Sequence, residues 1–269
     1  MKKKYSILAA AALTAASLLT ACGSGDKTSA TTEAATTAAE TTVAETTTEA
    51  APAADLAVKV DTVDSSVNRD DGAAVIVSSY DTVSLSTGED SYTDLADALN
   101  KFNDDESDRI QARLDSLQDA ADANAGNKTD FDPYEVDSEV DVVSASPEYV
   151  SLLITEYTDT LGDTPEITAR AVTFRSKDGA QVSLDDMVKD TSSLADTLAS
   201  RLKSEYTDVT FNNDYASAIK SQVDGGNLVW NVDKNGVTFT FPEGQLASAD
   251  DGELSVTIDR TADPDFFKN

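Results

Sequence analysis

The sequence predicts an α+β protein, with a mainly antiparallel sheet packed on one face by two or three helices. Several short segments alternate apolar and polar residues, which is typical of strands that bury one face. Other segments repeat apolar residues every three or four positions, as amphipathic helices do. The strand segments follow one another with polar turn residues between them, which favours antiparallel neighbours.

The first half of the predicted domain, about residues 55–130, contains a hairpin and one long helix. The predicted strands span residues 56–67 and 73–85, and a polar turn ending in Gly72 joins them. A helix is predicted over residues 92–123, with Gly126 as its stop signal. Its apolar residues form two stripes: Leu95, Leu99 and Phe102, then Ile110, Leu114, Leu117 and Ala121. We expect the polar run at residues 103–105 to break or kink this helix.

The second half, about residues 133–269, contains most of the predicted strands. These span residues 135–145, 148–159, 167–175, 228–232, 237–241 and 254–258, with a short extended piece at 181–184. One helix is predicted to begin with a cap at Ser192 or Ser193 and to end at Tyr206, and a second spans residues 214–223. Asn235 and Gly236 predict a tight hairpin turn with positive φ angles.

The N-terminal residues have the organisation of a lipoprotein export signal. Three lysines at positions 2–4 precede an apolar run at 7–19, which is too short for a comfortable membrane span. Residues 19–22, Leu-Thr-Ala-Cys, match the lipobox of bacterial lipoproteins, and Gly23 follows. The single cysteine of the chain thus stands at the lipidation position. An ordinary signal peptide with an incidental cysteine is the alternative. We expect residues 1–21 to be removed and Cys22 to anchor the protein to the outer side of the cell membrane.

The segment after Cys22 predicts a disordered stalk that ends at residue 54. It consists almost entirely of Thr, Ala, Glu and Ser, and Val43 is its only large apolar residue. Such a composition cannot offset the entropy of ordering by burying apolar surface. The stalk would span about 30 Å as a flexible coil and about 110 Å when fully extended.

The composition excludes several functional classes. The chain has 50 acidic and 20 basic residues, a formal charge of −30 and no histidine. Nucleic-acid binding requires a basic face, which this balance does not supply. Without histidine there is no imidazole base and no histidine-ligated zinc site. One cysteine permits neither an intrachain disulfide nor a cysteine metal cluster. We therefore predict no catalytic residues and no cofactor.

Acidic clusters raise the possibility of calcium binding. Residues 122–127 begin like an EF-hand loop, but the glycine comes one place early and Pro133 stands where a bidentate glutamate belongs. Other acidic groups are Asp130, Asp132, Glu135 and Asp137, and the pair Asp185 and Asp186. An acidic surface contains many such groups for solubility alone, so no metal site is predicted.

Two further readings concern glycans. A pair of carboxylates alone can hydrolyse a glycosidic bond, so a cell-wall glycan-acting enzyme is the alternative to a binding protein. Trp230, Phe266 and Phe267 are candidate contacts for a carbohydrate or a partner. An alternating strand tryptophan is more often part of a core, and the terminal phenylalanines are expected to pack back onto the sheet.

Three segments carry a family resemblance: residues 80–83 before the helical segment 95–103, the turn segment 178–187, and the hairpin 230–241 with Trp230, Gly236 and Phe241. With these segments, the order of elements from about residue 56 to 258 resembles the RsiV-like extracellular domain family, found in an anti-sigma factor ectodomain and beside the catalytic domain of the peptidoglycan deacetylase PdaC. Residues 161–164 depart from the family pattern, with one glycine and no histidine.

The resemblance implies a surface domain that binds another macromolecule, because the anti-sigma factor ectodomain binds lysozyme. Residues 55–269 contain 45 acidic and 16 basic residues, which would attract a cationic extracellular protein such as a lysozyme; a cell-wall component is another expected partner. Charge that only maintains solubility is the alternative. The sequence thus predicts a non-enzymatic, lipid-anchored envelope protein that binds or senses an unidentified ligand.

Overall fold

The computed structural model describes residues 56–126, 128, 130–162 and 164–268. All the described residues belong to one compact unit. The predicted signal segment, Cys22 and the stalk lie outside the described residues.

The described residues form eight strands and four helices, which confirms the α+β class. The strands are β1 (Ala57–Asn68), β2 (Ala74–Thr87), β3 (Tyr134–Ala145), β4 (Tyr149–Asp159), β5 (Glu166–Arg175), β6 (Val229–Val232), β7 (Gly236–Phe241) and β8 (Leu254–Asp259). The helices are α1 (Thr93–Ala125), α2 (Leu184–Met187), α3 (Leu194–Glu205) and α4 (Tyr215–Gly225). Each predicted strand and helix is present. The extended piece expected at residues 181–184 is reduced to one antiparallel bridge between Gln181 and Phe174, and the single helical turn α2 begins at Leu184.

Strands β1 to β5 form one sheet in the order of the chain. All neighbours in it are antiparallel except β2 and β3, which are parallel. The exception follows from the connection, because α1 carries the chain back to the end of the sheet at which β2 began.

Strands β6, β7 and β8 form a second, antiparallel sheet, although the sequence pattern did not distinguish two sheets from one. A buried polar contact joins them: the Asn231 side-chain amide donates to the Ser151 hydroxyl at 3.0 Å and to the Leu152 carbonyl at 3.1 Å. The Ser144 hydroxyl also donates to the Val232 carbonyl, at 2.6 Å. Strand β6 thus meets the larger sheet through side chains rather than through a backbone ladder.

Helix α1 is continuous, so the expected break at residues 103–105 is wrong. Asn103 instead turns its side chain toward strand β2. Its amide oxygen accepts from the Val83 backbone N–H at 2.8 Å, and its amide nitrogen donates to the Val83 carbonyl at 2.9 Å. The β2–β3 ladder ends at Tyr80, so the asparagine supplies the partners that a strand would supply farther along.

Two predicted local features have a different physical basis from the one expected. Ser193 lies at the N-cap of α3, but its side chain makes no capping bond and donates to Asp190 at 3.2 Å. In the β6–β7 hairpin, neither Asn235 nor Gly236 has a positive φ. Gly236 is required for space, because a Cβ there would lie 2.0 Å from the carbonyl oxygen of Ile258.

The buried apolar residues form three clusters. The first half of α1 packs on β2, β3 and β4 through Leu95, Leu99 and Phe102. The second half packs on β2 and β3 through Ile110 and Leu114. The third cluster lies between the smaller sheet and helices α3 and α4.

Candidate functional site

The aromatic residues singled out in the sequence belong mainly to the third cluster. Phe267 is 3% exposed and lies beneath the guanidinium of Arg260, 4.8 Å from its ring centroid. Phe266 packs edge-on against Phe267, and Trp230 is partly buried against the same core. The terminal phenylalanines therefore pack back onto the sheet as expected, and none of the three is a freely exposed contact residue.

The acidic clusters considered for calcium do not come together in the structure. Among the described residues, no group of three or more acidic or cysteine side chains is placed to hold a metal ion. Asp137 accepts hydrogen bonds from Ser79, and Asp186 accepts from Ser183. Asp185 accepts from Thr191.

A cluster of charged side chains that the sequence analysis missed lies between α1 and the larger sheet. Its centre is Glu106, which is 1% exposed and stands between the two apolar clusters under α1. The Ser138 hydroxyl on β3 donates to Glu106 Oε1 at 2.7 Å. Two arginines pair with the same carboxylate: Arg109, one turn farther along α1, at 2.6 Å, and Arg170 on β5.

Glu156 on β4 completes the cluster. Arg109 and Arg170 both pair with its carboxylate, the latter at 3.3 Å through Nε. The Arg170 guanidinium also lies over the Phe102 ring, 5.8 Å from its centroid. Two carboxylates and two guanidiniums thus share one closed network, in which each charge contacts two opposite charges.

The network forms one end of a cleft of about 340 Å³ between α1 and strands β4 and β5. Arg113 crosses the cleft to pair with Glu166 on β5. Hydroxyls of Thr158 and Thr168 line the same space. The cleft arises because the sheet face under α1 changes from aliphatic residues on β4, such as Ile154, to polar ones nearer its end.

The electrostatics of Glu106 favour its charged form. Burial by itself raises the pKa of this carboxyl, but hydrogen bonds from Arg109 and Ser138 and the charge of Arg170 outweigh it and hold the pKa below its usual value of 4.5. A general acid for glycoside hydrolysis needs the opposite shift, because it must carry a proton near neutral pH. The network is therefore suited to fastening α1 to the sheet.

One sequence signal could have revealed Glu106. It follows Phe102 by four residues and precedes Ile110 by four, so it occupies the inward stripe of α1. A charged residue in an apolar stripe needs a partner, and Arg109 is the nearest cation on the same helix. Its other partners come from β3 and β5, and no local pattern specifies those contacts.

The outer side of α1 is acidic along nearly its whole length. Eight exposed aspartates occupy this side: Asp94, Asp97, Asp104, Asp105, Asp108, Asp115, Asp119 and Asp122. At about 100° per residue they fall within roughly 100° of the helix circumference, and from first to last they span about 42 Å. Among the described residues the one basic side chain within this arc is Lys101, which pairs with Asp105 at 2.6 Å. We call this surface the acidic face of α1.

Two solved structures align with most of this chain. A crystal structure of a DUF3298 family member from Bacteroides fragilis superposes with a TM-score of 0.54 and 13% identity, covering 81% of this chain and 95% of that one. The two proteins share a fold. A DUF3298 family protein from Pseudomonas aeruginosa aligns with a TM-score of 0.46 and 12% identity, over 80% of this chain and 95% of its own. No family model and no curated protein matches the sequence.

The likeness to the first structure is consistent with the fold implied by the RsiV-like resemblance. At 13% identity it carries no functional residue across. None of the described helices could cross a bilayer, because even the 33-residue α1 is too polar. The features that bear on function are therefore the chain's own: the acidic face of α1 and the charged network behind it.

Proposed function

We propose that the chain is a non-enzymatic, lipid-anchored protein of the cell envelope, whose folded part binds a cationic macromolecule through the acidic face of α1. The observation that carries the proposal is the line of eight exposed aspartates on this helix, with one lysine among them. A single helix can present these charges, which span about 42 Å along it, to one large partner. The lipobox cysteine, Cys22, supplies the anchor.

The charge distribution supports a cationic protein as the partner. Residues 55–269 contain 45 acidic and 16 basic residues, so the whole folded part attracts cations over a long range. Complementary charge mainly accelerates association and selects partners by the sign of their charge. This electrostatic attraction weakens as salt is added. Lysozyme is an appropriate probe, because it is a compact cationic protein found outside cells.

The arrangement of the carboxylates supports binding rather than catalysis. Glu156 and Glu166, which line the cleft beside α1, and the buried Glu106 behind it are all ion-paired with arginine. The lowered pKa of Glu106 works against a role as a proton donor. A glycan hydrolase would need one protonated and one free carboxylate facing an open cleft.

The test is a titration of the purified full chain, held in mild detergent, with lysozyme at several salt concentrations. Changing Asp97, Asp104, Asp108 and Asp119 to asparagine should weaken binding about tenfold at low salt, because each lost charge removes a few tenths of a kcal/mol. All four are exposed on the acidic face, so the fold should be retained.

A matched variant distinguishes the effect of the acidic face of α1 from the effect of net charge. Asp64, Asp70, Asp208 and Asp250 are also exposed, and changing them to asparagine alters the net charge equally. Equal weakening by both variants would reject α1 as the docking surface. Absence of salt-sensitive binding would reject the cationic partner. Release of muropeptides from peptidoglycan by the chain would reject the non-enzymatic assignment.

A further inference from the structure

A groove beside the C-terminal end of α3 has the chemistry of a glycan site. It lies along residues 203–215, in the segment that joins α3 to α4, and has a volume of about 480 Å³. This volume falls within the usual range for small-ligand sites, about 300–1,000 Å³. The groove uses none of the residues of the acidic face of α1. We infer that it binds a pyranose unit of a neutral glycan.

The groove is held in shape by contacts with the smaller sheet and its loops. The Tyr206 hydroxyl accepts from the Ser255 backbone N–H at 3.1 Å and donates to the Ser255 carbonyl at 3.0 Å, on the edge strand β8. The Asn212 backbone N–H donates to the Leu246 carbonyl at 2.8 Å. Because both sides of the segment are fixed, a ligand would not have to order it on binding.

Aromatic rings line this groove and remain partly open to solvent. The Phe211 and Tyr215 rings lie 4.8 Å apart between centroids, at an angle of 35°. Both are half-buried and pack against the third apolar cluster, beside Val209. Aromatic faces carry partial negative charge. The axial C–H groups of a pyranose carry partial positive charge, so one face of a sugar ring fits against such a surface.

Polar side chains surround the rings. Thr207, Asn212 and Asn213 are exposed and line the groove. In the part of the chain that the structure describes, none of these three side chains makes a hydrogen bond with another residue. An asparagine amide offers donors and an acceptor together, which matches a sugar hydroxyl or an acetamido group.

The balance of charge favours a neutral glycan over other ligands that stack on aromatic rings. Lys203 is the one cation lining the groove, in a folded part with 45 acidic and 16 basic residues. A nucleotide or nucleic acid would stack equally well, but its phosphates would be repelled. Among neutral glycans, an N-acetylated amino sugar uses both the rings and the amides, since its methyl group adds apolar contact and its amide adds hydrogen bonds.

The test is a calorimetric titration of the purified full chain with the tetramer of β-1,4-linked N-acetylglucosamine. Phe211→Ala should weaken binding at least tenfold, since it removes the stacking surface. Asn213→Ala should weaken it about threefold, since it removes one amide's hydrogen bonds. Asn100→Ala is the matched control, because Asn100 is an exposed asparagine on α1, away from the groove, and should leave the affinity unchanged.

Three outcomes would overturn the inference. The first is that the titration shows no saturable heat up to about 10 mM sugar. The second is that Asn213→Ala and the unaltered chain bind the sugar with equal affinity, and the third is that an anionic nucleotide binds more tightly than the sugar. If Phe211→Ala does not fold, the affinity of Asn213→Ala still tests the inference. Asn213 is exposed and contributes nothing to the core, so its replacement should leave the fold intact. The variants in the groove should leave lysozyme binding through α1 unaffected. The two proposals can therefore be rejected independently of each other.

Discussion

Glu106 places a buried charge between α1 and the larger sheet. Its carboxylate is 1% exposed, yet it receives hydrogen bonds or ion pairs from Ser138, Arg109 and Arg170. A buried charge is tolerated only when such partners replace water. Buried ion pairs often stabilise a fold no more than apolar residues of similar size would, but losing Glu106 would leave two guanidiniums sharing the single carboxylate of Glu156.

We expect Glu106→Gln to lower the free energy of unfolding by about 3 kcal/mol at neutral pH, because Arg109 and Arg170 lose the buried one of their two shared carboxylates and keep only Glu156. The folded-state pKa of Glu106 lies below its usual value of 4.5, so its charge stabilises the fold above that pH and ceases to do so as the pH falls below it. The difference between variant and unaltered chain should therefore be largest near pH 7 and shrink below about pH 4.5. Urea unfolding at a series of pH values measures it.

The control is Lys101→Ala, which breaks an ion pair on the same helix that is well exposed on both sides. That change should cost less than about 0.5 kcal/mol at neutral pH. A pH-independent loss for Glu106→Gln would mean that the shape of the side chain, not its charge, stabilises α1.

At the scale of elements, α1 has one face that packs against the larger sheet and one that faces solvent. Its inner face carries the apolar stripe, and its outer face carries the eight aspartates. The periodicity of the sequence predicted the helix, because one stripe repeats every three or four residues. The periodicity led to a wrong prediction at residues 103–105. The polar run there suggested a break in the helix, but the Asn103 side chain hydrogen-bonds to the backbone of Val83 on β2. The sequence does not distinguish a polar residue that faces water from one that hydrogen-bonds to a strand.

We expect Asn103→Ala to destabilise the protein by about 1–3 kcal/mol, because the Val83 N–H and carbonyl lose their partners in a partly buried position. Amide hydrogen exchange at Val83 should accelerate. Asn100→Ala, three residues earlier and exposed, is the matched control and should change stability by less than about 0.5 kcal/mol. Unchanged exchange at Val83 would show that water replaces the asparagine without cost.

At the scale of the whole molecule, the strong negative charge and the lipobox belong together in the proposed function. Without residues 1–21 the anchored chain would carry 50 acidic and 17 basic residues, which would keep it in solution beside the membrane and attract cations toward it. The proposed anchor is Cys22, the single cysteine of the sequence.

We expect Cys22→Ser to move the protein from the membrane fraction to the soluble fraction, or to leave it with its signal peptide uncleaved, because the acyl chains have no other thiol to join. Fractionation and mass measurement of the N-terminus test this. Thr28→Ala, a few residues downstream in the stalk, should remain in the membrane fraction with normal processing. Membrane retention of a normally processed Cys22→Ser chain would contradict the assignment.

The sequence by itself determined the class of fold, the positions of nearly all strands and helices, and the charge. These depend on local periodicity and composition, which are properties of a segment and its immediate neighbours. Tertiary structure alone decided that β6–β8 form a separate sheet, that Gly236 is needed because Ile258 passes close by, and that Glu106 meets Arg170. It also brought Phe211 and Tyr215 together in a groove. Most of these outcomes depend on which distant segments become neighbours, and a periodic pattern records which face of an element is buried but not what it is buried against.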